Sequence, residues 1–171
     1  MKHRLFIASF IQPEISMEIR RMQEQFRPAG LKFTPTENFH ITYSFLDLRD
    51  ESEVPHIKSF LPMLNEIIAG ISFHLSDVLC FEQHGRSPVV LRVEFSKDIS
   101  AFIENFQRIS GGDAKPFVPH ITVAKANNGC VYEIVEEYKK LFAGFRKNFI
   151  LEKAVLAKSI LSPEGPVYRI I

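Results

Sequence analysis

The tripeptide His-Ile-Thr occurs twice, as His40-Ile41-Thr42 and as His120-Ile121-Thr122, in two apolar runs 80 residues apart. No other feature constrains the chain as strongly. In an extended strand, side chains alternate between faces, so His40 and Thr42 share one side while Ile41 and Tyr43 take the other. The same holds for His120 and Thr122. Six His and four Thr in 171 residues give about 0.14 His-x-Thr triplets by chance. Two strands that merely carried hydrogen-bonded histidines would leave the duplication unexplained.

If the two strands meet at the floor of one cleft, two imidazoles and two hydroxyls converge on a volume about the size of a phosphate group. Phosphodiester hydrolysis needs a base for the attacking water, an acid for the departing oxygen and donors for the non-bridging oxygens. His40 and His120 suit the proton transfers, because an imidazole with a reference pKa of about 6.5 changes charge near neutrality. Thr42 and Thr122 supply the donors. This scheme requires no metal and no cofactor. A zinc site would need further ligands, and no Cys or carboxylate stands at a recognisable spacing from either His. Neither Cys lies in a nucleophile signature, and no Gly-x-Ser-x-Gly elbow is present. His74 reads as an exposed strand residue, and His3, His56 and His84 lack partner spacing.

The rest of the chain alternates strands and helices. Residues 4–11 read as a mostly buried strand, and Pro13 opens a helix whose Ile15, Ile19, Met22 and Phe26 share a face until Pro28-Ala29-Gly30. Leu31 to Thr34 is a short strand, followed by a turn at Pro35-Thr36-Glu37-Asn38 and the first motif strand to about Leu48. A helix capped by Ser52 runs to Ala69, with Pro62 predicting a kink or two pieces. Residues 71–78 and 89–95 form a hairpin across His84-Gly85-Arg86-Ser87-Pro88. A third helix begins at Asp98 and buries Ile99, Phe102, Ile103 and Phe106 before Gly111-Gly112. The second motif strand spans Phe117 to Ala126, a fourth helix Val131 to Phe142, a strand Phe149 to Ile160, and a closing hairpin strand Val167 to Ile171. This order predicts an α+β domain with helices covering largely antiparallel sheets, and a single domain over residues 1–171.

A net charge of +1 with 24% charged residues disfavours a broad basic face for long nucleic acid, but leaves room for a small anion in a local pocket. Seven apolar or small residues after Arg4 are too few to span a membrane. Cys80 and Cys130 show no metal or redox spacing and read as buried free thiols, or at most a pair, which suggests a reducing, cytoplasmic setting.

Four segments together resemble the two-histidine (2H) phosphoesterase superfamily, and within it the LigT-like RNA 2′,3′-cyclic phosphodiesterases once called 2′-5′ RNA ligases. They are Arg4-Leu5-Phe6-Ile7-Ala8, Glu37-Asn38-Phe39-His40-Ile41-Thr42-x-x-Phe45-Leu46, Pro119-His120-Ile121-Thr122, and Ser159-x-Leu161-x-Pro163-x-Gly165-Pro166-x-Tyr168. The resemblance implies a bilobal, pseudo-two-fold α+β fold whose antiparallel sheets line a central cleft, with helices outside. It implies hydrolysis of a 2′,3′-cyclic phosphate to a 2′-phosphate by a monomeric enzyme, with reverse ligation as a companion activity. The partners would be RNA 3′ ends or small nucleotides bearing that phosphate, with His120 as base and His40 as acid. Phe45, Lys125, Arg92 and Tyr168 become the substrate-side residues, although Phe45 reads equally as core packing, and Tyr168 and Arg92 read more readily as surface or packing residues. Lys125 replaces the family's Arg, Asp47 a Gly, and Val89 and Arg92 stand where many members carry Arg and Trp. The alternative is a nucleotide or RNA-end binding module without turnover, or a plain interaction domain.

Overall fold

A strand that is apolar on both faces has to be covered on both sides. The first strand, β1 (Lys2–Phe10), is of this kind: Leu5 and Ile7 enter the main core, while Phe6 and Ala8 join a separate small cluster with Ala157 on the opposite face. In the computed structural model, which describes all residues except 83, 84, 86, 128, 130, 131 and 164, β1 lies inside a four-stranded antiparallel sheet. Its neighbours are β3 (His40–Asp50) and, on the other side, β8 (Val155–Ser162), which pairs in turn with β9 (Gly165–Ile170). Between them in sequence come α1 (Pro13–Gln23) and the short β2 (Leu31–Phe33).

The second sheet has the order β2, β6 (His120–Ala126), β5 (Ser87–Phe95), β4 (Ser72–Cys80) and β7 (Phe149–Ile150), again with antiparallel neighbours. Each sheet therefore sets a motif strand beside a strand that leads into a helix: β3 beside β1, which precedes α1, and β6 beside β5, which precedes α4 (Ser100–Ile109). This is the two-fold repeat of the α+β fold. The apolar stripes do what their spacing predicts: Ile15 and Ile19 of α1, Ile103 and Phe106 of α4, and Ile134 and Tyr138 of α5 (Tyr132–Phe142) are buried in one continuous core.

Pro62 divides the second helical region into α2 (Val54–Lys58) and α3 (Leu61–Ile68), with the proline in the first turn of α3, where its missing N–H is harmless. Asp50 and Glu53, not Ser52, make the capping box ahead of α2. Helix α1 stops at Gln23, before the predicted Pro28. Ser87 and Pro88, read as turn, begin β5; His84 and Arg86 lie outside the described residues.

Two expectations fail. The single strand over 149–160 is two strands on different sheets, because residues 151–154 cross between them. Leu151 and Ala154 are buried there, the Asn65 amide bonds both the N–H and the C=O of Ala154, and Ser9 donates to Glu152 O at 2.6 Å. Cys80 is disulfide-bonded and not a free thiol, so the step from free thiols to a reducing compartment falls; Cys130 lies outside the described residues. None of the described helices is long and apolar enough to cross a membrane.

The turn after α4 presses on β3. A Cβ at Gly112 would stand 2.1 Å from Ser44 Oγ and 2.8 Å from Phe45 O, and the backbone carbonyl cannot swing away. Gly112→Ala is therefore expected to cost about 1–3 kcal/mol in denaturant unfolding, whereas Gly144→Ala, with nothing within 4 Å, should stay within about 0.5 kcal/mol of the parent.

Candidate functional site

Alternation from His40 places Ile41 and Tyr43 in the core and leaves His40 and Thr42 partly buried on the other face. Strict period two would then send Phe45 inward. It does not, because the pairing with β1 skips Tyr43: Ala8 faces Thr42 while Ile7 faces Ser44. This β-bulge advances the phase by one residue, so Leu46 is buried and Phe45 is 55% exposed on the histidine's side. The core-packing reading of Phe45 is thereby excluded. In β6 the skip falls at the equivalent residue, Val123, since Val90 faces Thr122 and Val89 faces Ala124. Lys125 is carried to the histidine side in the same way. Both motif strands thus present His, Thr and the fifth residue after His on one face.

Each bulge carbonyl, having left the ladder, finds a buried glutamine. Gln107 Nε2 of α4 donates to Tyr43 O, and Gln23 Nε2 of α1 donates to Val123 O, both at 3.1 Å.

The imidazoles are held identically. His40 Nδ1 lies 2.6 Å from Asn38 O, and His120 Nδ1 lies 2.6 Å from Val118 O. A carbonyl only accepts, so both Nδ1 atoms carry the proton and both Nε2 atoms of the neutral rings keep a free lone pair. Asn38 is itself fixed by a 2.8 Å bond to Pro166 O in the closing hairpin. Around His40 stand the rings of Phe6 (5.1 Å), Phe10 (5.7 Å) and Tyr168 (5.1 Å). His120 meets the edge of Phe81 at 5.0 Å. Burial in this apolar setting, with the charge of His120 adding to it and the Asn38 bond opposing it, pushes His40 down to about 4. Burial also lowers His120, against its Val118 bond. Both shifts favour the neutral ring.

A cavity of about 430 Å³ opens beside His40. Phe45, Lys125 and Tyr168 line it, together with Arg4, Asp47 and Asp113. Three of the four expected substrate-side residues therefore share one cavity with a motif histidine. Arg92 is not in that wall; it is exposed on β5 directly opposite His120 and so lies on the same face. Val89, by contrast, is core. Thr42 and Thr122 flank their histidines two residues along. Tyr168 packs edge-on against His40 and Phe6, so its ring orients the imidazole as well as lining the cavity.

Sequence reasoning missed Phe6, Phe10 and Phe81 as ring partners of the histidines. The alternation of Phe6, Ala8 and Phe10 in β1 is the signal that could have found two of them. It also missed the 3.5 Å ion pair of Arg4 with Asp47, a residue held at a φ of 55° where glycine is the comfortable choice. Among the described residues, no three His, Cys, Asp or Glu side chains cluster as metal ligands.

The family model described as "LigT like Phosphoesterase" matches residues 10–91. The chain is 30% identical over 179 residues to an RNA 2′,3′-cyclic phosphodiesterase of Methanocaldococcus jannaschii, covering 98% of both proteins. It is also 30% identical over 187 residues to the Thermus thermophilus protein of the same name, covering 98% of this chain and 87% of the relative. Among solved structures, a Thermus thermophilus protein superposes with a TM-score of 0.74 at 25% identity, over 98% of this chain and 94% of that one. Escherichia coli LigT, solved with ATP, gives a TM-score of 0.72 at 18% identity, over 99% and 95%, and shares the fold. The chain belongs to the LigT-like phosphoesterase family.

Depressed histidine pKa values fix the sign of a pH effect. Between about 6.5 and about 4 the unfolded chain binds protons that folded His40 refuses, so stability is full above pH 6.5 and declines as pH falls through that window. A bound sulfate favours the protonated rings and should shrink the loss. The melting temperature gained from sulfate is therefore expected to be larger at pH 5 than at pH 7.5, and the difference to shrink in His40→Gln.

Proposed function

We propose that this protein is a phosphodiesterase that opens RNA or nucleotide 2′,3′-cyclic phosphates to 2′-phosphomonoesters by two-histidine acid/base catalysis without a metal. The observation that carries this reading is the pair of Nδ1-anchored imidazoles on two equivalently bulged strands, one of which, His40, stands in the wall of a cavity with an exposed Phe and a Lys. The names of the relatives support the substrate class.

In the proposed reaction, Nε2 of His120 takes a proton from water as its oxygen attacks phosphorus. The bond from phosphorus to O3′ breaks, and Nε2–H of His40 protonates the departing O3′. The products are a 2′-phosphate and a free 3′-hydroxyl, with the ring protonation states exchanged. Thr42 and Thr122 donate to the non-bridging oxygens, Lys125 offsets their charge and Phe45 stacks on the base. Because burial holds the His40 pKa down at about 4, the diester anion has to raise it before His40 can act as the acid. The resting electrostatics thus couple protonation of the acid to the arrival of substrate. Ligation, the reverse reaction, uses the same groups.

An oligonucleotide ending in a 2′,3′-cyclic phosphate should be converted to its 2′-phosphate, identified by chromatography against 2′- and 3′-phosphate standards. His40→Ala and His120→Ala should each lower kcat by about 100-fold or more with a normal circular dichroism spectrum. Thr42→Ala and Thr122→Ala should lose less, because each removes a hydrogen bond and no proton-transfer group. Dialysis against EDTA should leave the rate unchanged. Binding of the oligonucleotide with no turnover would favour the binding-module alternative.

A further inference from the structure

We propose that Gln23 and Gln107 are positioning residues of the active site, each holding the bulge that turns one substrate-facing side chain into the cleft. This rests on the phosphodiesterase reading.

The two glutamines are equivalent in the fold and crossed between the lobes. Gln107 is on α4, which follows β5 of the second sheet, yet its amide serves Tyr43 in β3 of the first. Gln23 ends α1, which follows β1 of the first sheet, and serves Val123 in β6 of the second. Both are nearly inaccessible, at 7% and 0% exposure. Amides are seldom buried so deeply, and each spends its N–H donor on the one carbonyl that a regular strand would have paired with its neighbour.

The surroundings reinforce this role. Gln107 Oε1 accepts from Lys115 N at 3.0 Å, Asp113 N donates to Phe45 O at 3.0 Å, and the Ser44 and Ser110 hydroxyls meet at 3.0 Å. The segment after α4 thus clasps residues 43–45. On the other side, Thr34 N donates to Val123 O at 2.9 Å and β2 pairs with residues 124–126 of β6. In the first lobe the clasp runs from the bulge to Phe45, and in the second it runs from the bulge past Lys125 to Ala126, so each holds the residue whose direction the bulge sets. If the bulge relaxes by one residue, period two sends that side chain to the core face.

The consequence is a specific pairing of effects: Gln107 acts through Phe45, and Gln23 acts through Lys125. The test compares Gln107→Met, Phe45→Ala and their double variant, and likewise Gln23→Met, Lys125→Ala and theirs, by kcat and KM on a 2′,3′-cyclic-phosphate dinucleotide and by melting temperature. Each glutamine variant should lose at least about tenfold in kcat/KM, measured well below its melting temperature. Each double variant should lose no more than its worse single. A glutamine variant that melts earlier but keeps kcat/KM within about twofold has a structural role only and overturns the proposal, as do losses that multiply in the doubles. Gln→Leu at each position keeps roughly the volume, removes the donor and adds no charge, and replaces any Met variant that does not fold. Failure of both replacements to fold at a position also overturns it there. If the wild-type chain does not turn over the dinucleotide, the functional reading fails; the same comparison is then made by calorimetric affinity for 2′-AMP, with the same two outcomes deciding the positioning claim.

Discussion

The site depends on one backbone irregularity made twice. A regular strand can show a cleft its first, third and fifth residues, so His-x-Thr alone would be followed by a residue two further on. Instead, the bulges at Tyr43 and Val123 bury two consecutive positions and deliver the fifth residue after each histidine. A bulge that strands a carbonyl in the core would be costly; here a buried side-chain amide meets each, and Val123 O also accepts from Thr34 N. The lobes are consequently interlocked, because the helix that follows one sheet's inner strand completes the other sheet's motif strand.

Electrostatics follow from the same packing. Rings on β1 and β9 that complete the apolar face of the first sheet also desolvate His40, while the i−2 carbonyl of each motif fixes the tautomer. Burial that favours the neutral form makes His40 a poor acid unless an anion stands beside it. The cleft rim is balanced, with Arg4 and Lys125 set against Asp47 and Asp113, in keeping with a chain of net charge +1. A small anionic group suits such a rim better than a long polyanion does.

What was legible in the sequence was what is local. The His-x-Thr faces, the helix stripes and the break at Pro62 all follow from residue spacing and proline geometry, and all are present. The cleftward turn of Phe45 and Lys125 was not legible from alternation, which points them the wrong way; only likeness to a family put them at the site. The cause lies in Gln23 and Gln107, which are remote in sequence and ordinary in type. The crossing at residues 151–154 was hidden for the same reason, since it depends on which strands lie side by side. Arg92 illustrates the converse: its place opposite His120 follows from register, yet the cavity wall beside His40 does not include it.

The central claim is that the two histidines divide the proton transfers at the scissile phosphate. A substrate whose 3′ oxygen is replaced by sulfur tests it most directly, because a thiolate leaves without needing a proton. Hydrolysis of this substrate is expected to be largely restored in His40→Ala and to remain lost in His120→Ala. Restoration in His120→Ala alone, or in neither variant, would contradict it.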